Sequence, residues 1–324
     1  MEYTSLGSTG MTVSKICLGC MSFGSEEPWM LDRQESRELI ERAIDLGVNF
    51  FDTANAYSDG ESETLLGEVL SEYDRDKQVV ATKVRFPVGD DHPNGAGLSR
   101  KTIEQELDAS LDRLGMETID LYQTHRVDPN TPPETTLRAL DDAVRRGDVR
   151  HVGTSSMWAH QLARRLRVSE RESLVQFETM QNHYHLAYRE EEREMLPLCD
   201  GEDIGVIPWG PLGQGFLTRP IDALERTDRG DPDNFHNPTA EYVRGGGREI
   251  NERVEELAEE YGVTMAQIAL AWQFQNEYVD APIVGTTSID HLEQAVEALT
   301  IDLSKSDVRY LEEPYEPQPV VGHE

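Results

Sequence analysis

Cysteine is scarce in this chain: Cys17, Cys20 and Cys199 are the only three among 324 residues. An odd, low count cannot build a disulfide framework and fits a reducing compartment. Cys17 and Cys20 stand at CxxC spacing, but no second ligand pair accompanies them. Buried core thiols are therefore expected rather than a metal site. No run approaches the roughly 18 apolar residues of a spanning helix, and no basic stretch followed by an apolar one opens the chain. A soluble, cytoplasmic protein is the expectation. No GxGxxG follows the first apolar run, which speaks against an open dinucleotide-binding sheet. Solenoid repeats and low-complexity linkers are missing too, so 1–324 reads as one domain. Its Pro-rich end, 314–324, is either a flexible tail or a closure over the site.

Positive charge is the other shortage. Lysine occurs only at positions 15, 77, 83, 101 and 305, and 30 basic residues face 62 acidic ones, a formal charge of −32. Such a surface repels nucleic acid and anionic membranes. The acids are scattered over the helical stretches instead of gathered in one tail. That distribution fits a halophilic protein, because at molar salt the Debye length is only about 3 Å and self-repulsion is screened.

What is present is an alternation. After a short hairpin, roughly Tyr3 to Val13, eight apolar runs predict strands: Ile16–Met21, Val48–Thr53, Val79–Val84, Ile119–Gln123, Val149–Gly153, Leu174–Met180, Gly205–Trp209 and Pro282–Gly285. They show little polar alternation, as parallel strands buried on both faces do. Amphipathic helices are predicted over Arg37–Leu46, Thr102–Leu114, Leu137–Arg146 and Arg189–Cys199, with an extra one over Thr264–Gln275. Eight strands separated by helices predict a closed (β/α)8 TIM barrel with an N-terminal β-hairpin. The stretch from Pro211 to Glu249 is rich in Gly, Pro, Asp and Asn and reads as a long functional loop at the C-terminal face.

In such a barrel chemistry gathers at the C-terminal ends of the strands. Polar residues collect there. Asp52 ends the second strand, Tyr57 follows in its loop, Lys83 ends the third and His125 follows the fourth. Singly, each has a structural reading: a helix cap, loop packing, an ion pair, a satisfied histidine. Together they suit carbonyl reduction. A phenol holds its proton at neutral pH. A neighbouring ammonium is expected to lower its pKa, and a carboxylate keeps that ammonium charged. An imidazole can orient the carbonyl oxygen or share the proton relay.

The run from Gly47 to Tyr57, GVNFFDTANAY, then resembles the GxxxxDTAxxY signature of the aldo-keto reductase family, continued by Glu61–Gly67, ESETLLG. Thr82-Lys83 and Gln123-Thr124-His125 match the remaining catalytic positions, and the likeness runs from Gly7 to about Leu299. The resemblance implies that Tyr57 donates the proton, assisted by Lys83 and Asp52, while His125 orients the substrate. It implies NADP(H) as cofactor, with Ser155 and Gln181 on the nicotinamide amide and Trp209 stacked on its ring. Gly210, Leu212, Gly215 and Arg219 would then lie along the pyrophosphate, and Gly285, Thr287 and His291 at the adenosine end. There the pattern departs: His291 stands where relatives carry Arg or Gln, and Gln294-Ala295 where they carry Glu-Asn, so NAD(H) is an alternative. Trp29, Phe86 and Trp158 are candidate walls for a small carbonyl substrate. Arg85, Arg100 and Arg126 could locally favour an anionic one. Two other readings remain open: a nicotinamide-binding regulatory module like the potassium-channel beta subunits, and a Schiff-base enzyme using Lys83.

Overall fold

The computed structural model describes residues 1–24, 27, 29–89, 92–224 and 242–323. Part of the long loop predicted over 211–249 thus lies outside the described residues. A two-stranded antiparallel hairpin comes first, β1 (Tyr3–Ser5) and β2 (Thr12–Ser14). Eight parallel strands follow: β3 (Cys17–Gly19), β4 (Phe50–Asp52), β5 (Val79–Val84), β6 (Ile119–Thr124), β7 (Val149–Ser155), β8 (Thr179–Gln181), β9 (Gly205–Val206) and β10 (Ile283–Gly285). Each pairs with its neighbour in sequence, and β10 pairs back onto β3. The last seam closes through an isolated parallel bridge between Trp209 and Ile283, with the Ile283 N–H donating to Pro208 O at 2.8 Å. This is a (β/α)8 barrel.

Local chemistry explains the helices between the strands. The first, α1 (Arg33–Asp45), opens on a capping box in which Asp32 accepts from the Glu35 N–H and the Glu35 carboxylate accepts from the Asp32 N–H. Next come α2 (Glu61–Leu70), α3 (Arg100–Leu114), α4 (Pro133–Arg146), α5 (Ala159–Glu172) and α6 (Met195–Gly201). Gly115 and Gly147 stop α3 and α4 at φ 64° and 88°, a left-handed turn that glycine makes without a Cβ penalty. Three more helices, over Gly247–Tyr261, Met265–Gln275 and Ile289–Glu297, flank β10.

Sequence patterns misplace one strand. The run Leu174–Met180 is predicted as a strand, but pairing there is confined to Thr179–Gln181. Its first half is apolar for another reason: Val175 bonds Asp141 Oδ1 through its N–H and Ser169 Oγ through its carbonyl, packing against α4 and α5. The long loop also ends earlier than predicted, because a helix already begins at Gly247.

The hairpin plugs the bottom of the barrel. Leu6 and Val13 join Cys17, Phe50, Ala81, Leu121, Ile207 and Ile283 in one buried cluster. The Leu, Val, Ile and Phe side chains among them each contribute roughly 1.5–3 kcal/mol on burial. Cys20 and Cys199 are buried in the larger cluster between sheet and helices, and burial pushes the Cys199 thiol up to about 12. All three cysteines are packed core thiols.

At the plug, Asp280 accepts the Gly7 N–H at 2.9 Å, and burial lifts its carboxyl to about 6. The native state therefore holds this proton more tightly than the unfolded chain, whose carboxyl has a pKa near 3.9. Stability from this group is present at low pH and is lost as pH rises from about 4 through about 6. Asp280→Asn keeps the acceptor and removes the buried charge. It is expected to raise unfolding stability at pH 8 by about 1–2 kcal/mol, since solvent still reaches the group. Urea unfolding at pH 4 and pH 8 checks it: the gain must vanish at pH 4.

Candidate active site

With the bottom plugged, the open end is the one where the parallel strands terminate. Asp52 is the last residue of β4, Lys83 lies next to last in β5, and His125 follows β6. Tyr57 is held by the loop after β4. There Ser58, Asp59 and Gly60 are all left-handed, with φ of 46°, 54° and 91°. Two non-glycine residues in that region cost of order 1 kcal/mol each. Ser58 Oγ offsets the cost by donating to Phe23 O at 2.7 Å, and Asp59 Oδ1 by accepting the Gly89 N–H at 2.6 Å. The strained turn delivers the phenol to the barrel mouth.

Lys83 is fully buried, and its ammonium spends all three donors. They go to Asp52 Oδ1 at 2.5 Å, Thr53 O at 2.8 Å and Tyr57 Oη at 3.1 Å. Burial works to discharge it, but Asp52 and Tyr57 outweigh that and hold its pKa above the usual 10.5. A charged amine has no free lone pair, and this arrangement speaks against Lys83 as a Schiff-base nucleophile. Asp52 is steadied on its other oxygen, Oδ2, by Gln123 Nε2 at 2.9 Å and Gln181 Nε2 at 2.8 Å.

Tyr57 departs from expectation. The sequence predicts a phenol made more acidic by its ammonium neighbour. In the fold, burial raises its pKa above 10, and Lys83 and Arg126 only partly counter that. The resting group is thus a protonated phenol with a cation waiting 3.1 Å from its oxygen. His125 sits edge-on to both Tyr57 and Phe86, with ring centroids 5.7 and 4.9 Å away. Burial, then Lys83, Arg126 and Arg85, push its pKa well below 6.5, so the imidazole is neutral. A neutral imidazole can donate or accept a hydrogen bond but carries no charge to act as a cationic acid. Its buried Nδ1 has no hydrogen-bond partner among the described residues.

A second group of predicted residues lies beside these four. Trp209 Nε1 donates to Ser156 Oγ at 3.0 Å, and Ser155 Oγ lies 3.4 Å from the same hydroxyl. The indole leans on His183, centroid to centroid 4.0 Å, and is half-buried. After it, Gly210, Gly213 and Gly215 take φ of 66°, 56° and 100°, and a Cβ at Gly215 would meet only Thr218 Oγ1, at 3.8 Å. Leu212 precedes the 3-10 turn Gly213–Gly215, and Arg219 is exposed beyond it. Gly285 ends β10, where an added Cβ would meet nothing within 4 Å, and exposed Thr287 and His291 flank the start of the helix Ile289–Glu297. Gln181 is committed through its amide nitrogen to Asp52 and, at 3.3 Å, to Gln123 Oε1.

The candidate walls separate. Phe86 packs on His125, whereas Trp158 and Trp29 are 39% and 40% exposed. Trp158 meets the C-terminal tail instead: His323 stacks edge-on against it at 4.8 Å and bonds Glu191 Oε1 at 2.9 Å. A Cβ on Gly322 would lie 3.1 Å from Trp209 Cζ2. Gln318 and Val321 tie the same tail to Ala187 O and Tyr188 Oη, at 2.7 and 3.1 Å.

A phenol, its ammonium and carboxylate, a neutral imidazole and an indole beside a glycine loop thus share one barrel mouth. The family model for aldo/keto reductases matches residues 15–316. The chain belongs to the aldo/keto reductase family. It is 41% identical to a Schizosaccharomyces pombe protein that bears an aryl-alcohol dehydrogenase name, over 99% of this chain and 97% of the relative. An aldo-keto reductase of Alternaria alternata is 40% identical over 99% and 93%. The versiconal hemiacetal acetate reductase of Aspergillus parasiticus is 39% identical over 99% and 98%. This aldo/keto reductase shares with them an oxidoreductase lineage. Among its described residues no helix is long and apolar enough to cross a membrane.

Proposed function

We propose that the protein is an NAD(P)H-dependent reductase of aldehydes or ketones, running the reverse alcohol oxidation where substrates favour it. One observation carries this: Tyr57 Oη lies 3.1 Å from an ammonium that Asp52 holds charged at 2.5 Å. The residues at the mouth also fit a nicotinamide. The half-buried indole of Trp209 is fixed by Ser156, the glycine loop leaves backbone open to a pyrophosphate, and His125 Nδ1 is a polar atom awaiting a partner.

A nicotinamide held there would supply hydride to the carbonyl carbon. Tyr57 gives its proton to the oxygen, and Lys83 stabilises the phenolate left behind. Asp52 keeps Lys83 charged while Gln123 and Gln181 fix Asp52. Neutral His125 aligns the carbonyl oxygen with the phenol. Ser155 and Gln181 would hold the carboxamide end of such a cofactor. Gly210, Leu212, Gly215 and Arg219 would hold its pyrophosphate, and Gly285, Thr287 and His291 its adenosine. Exposed His291, with no second basic side chain beside it in sequence, favours dual use of NADPH and NADH over strict NADPH preference.

The charge of −32 leads us to propose a salt-adapted enzyme as well. The decisive assay follows NADPH and NADH oxidation against a panel of aldehydes and ketones in molar KCl. Carbonyl-dependent turnover of about 1 s⁻¹ or more is expected. Tight nicotinamide binding with no carbonyl-dependent turnover would instead establish a regulatory module. In the same buffers, the melting temperature is expected to rise from low salt to multimolar KCl, and a flat or falling trend would defeat the salt adaptation.

A further inference from the structure

Two cations at the mouth have no role in the steps above. Arg126 follows His125, is half-buried, and donates from Nη1 to His125 O at 2.7 Å and to Ser155 Oγ at 3.3 Å. Its guanidinium also lies 5.9 Å from the Trp209 ring centroid. Arg85 stands two residues past Lys83, with its guanidinium 5.1 Å from the Phe86 ring and its buried Nε without a partner among the described residues. The two arginines therefore approach His125 from two sides, one against Phe86 and one against Trp209.

Neither makes an ion pair among the described residues. The carboxylate facing Arg85 is Asp128, and its oxygens are taken by the Leu98 and Asn130 N–H groups and Thr131 Oγ1. This is costly, because a half-buried guanidinium that makes no ion pair forfeits hydration, and only Asp128 offsets Arg85 at a distance. Carboxylates are in large excess, and several arginines on the outer helices pair with them: Arg37 with Glu41 and Glu72, Arg113 with Glu63, Arg253 with Glu249 and Glu313. Two guanidiniums that make no ion pair among the described residues, beside the reacting carbonyl, would be relieved by an anion that arrives with the substrate. Their planar forks match a carboxylate, and the rings behind them suit a flat, partly apolar body.

We propose that Arg85 and Arg126 form a carboxylate-binding subsite, so that this reductase acts on aldehydes or ketones that also carry a carboxylate, with aryl carboxylates the best fit. The inference rests on the carbonyl-reductase reading of the same mouth. It also resolves a conflict, since the acidic surface as a whole repels anions and only a local pair of cations can reverse that.

The test uses 4-carboxybenzaldehyde and its methyl ester, which differ chiefly in charge. In the wild type, kcat/KM for the acid is expected to exceed that for the ester about tenfold or more. Arg126→Gln and Arg85→Gln are each expected to lower this acid-to-ester ratio about 10–100-fold, and Arg126→Lys to restore part of it. Both substrates meet the same cofactor complex, so a cofactor defect cancels in the ratio. Arg146→Gln, at a surface pair with Asp148, changes net charge equally and is expected to leave the ratio alone. Calorimetric titration with benzoate gives a readout independent of turnover: wild type binds it and Arg126→Gln binds it at least tenfold more weakly. An ester reduced as well as the acid, with a ratio unmoved by either glutamine variant, overturns the subsite and leaves carbonyl reduction standing. Failure to turn over either aldehyde with either nicotinamide overturns the underlying reading instead.

Discussion

Tyr57→Phe is expected to lower kcat for carbonyl reduction by about 10²–10⁴-fold, the range that a positioned general acid contributes. Nicotinamide affinity should stay within about threefold, because the lost atom is a hydroxyl directed at Lys83 and not at Trp209 or Ser155. The phenol also makes a pH prediction. Burial holds its pKa above 10, so the protonated, donating form persists through the neutral range. Reduction by the wild type should therefore be flat from neutral pH upward, falling only in the alkaline limb. Alcohol oxidation needs the phenolate as base and should climb over the same interval. A reduction profile falling between pH 6 and 8 would contradict the assignment. Neither Tyr57, pushed upward, nor neutral His125, pushed downward, titrates there.

That pH behaviour marks where the sequence stops informing. The polar set itself is legible. Parallel strands buried on both faces tolerate few ionisable residues, so Asp52, Lys83 and His125 at successive strand ends stand out against Phe50, Val80 and Leu121. Barrel order and hairpin are readable for the same reason of pattern. The direction of the Tyr57 shift is not, because it depends on how completely the strained turn at Ser58–Gly60 sinks the phenol, and that is a tertiary outcome. Gln123 and Gln181 likewise meet Asp52 only once β4, β6 and β8 are in register, across 71 and 129 residues of chain. Ser156 shows no local sign of holding an indole 53 residues away. The tail at 318–323 has no periodicity, and its contacts with Tyr188, Glu191 and Trp209 appear only in the fold.

The second large effect separates what Lys83 does for the fold from what it does for the chemistry. Lys83→Met fills a similar volume and removes the ammonium, leaving the Asp52 carboxylate buried with only the Gln123 and Gln181 amides on Oδ2. Breaking a buried pair in this way costs about 3–5 kcal/mol, which urea unfolding would register as a clear fall in midpoint. Catalysis should fall by about 10² or more, since the phenolate formed on proton transfer loses the cation that stabilises it. Stability loss and activity loss could share one trivial cause, a distorted mouth. Asp52→Asn combined with Lys83→Met distinguishes them. The double variant restores neutrality, and the carboxamide oxygen that replaces the carboxylate can still accept from the glutamine amides. Most of the lost stability is expected to return, because replacing both partners of a buried pair leaves no orphaned charge. Activity is expected to stay at the level of Lys83→Met alone. Recovery of stability and turnover together would make Lys83 a scaffold for Tyr57, and the cation would then have no share in the proton transfer.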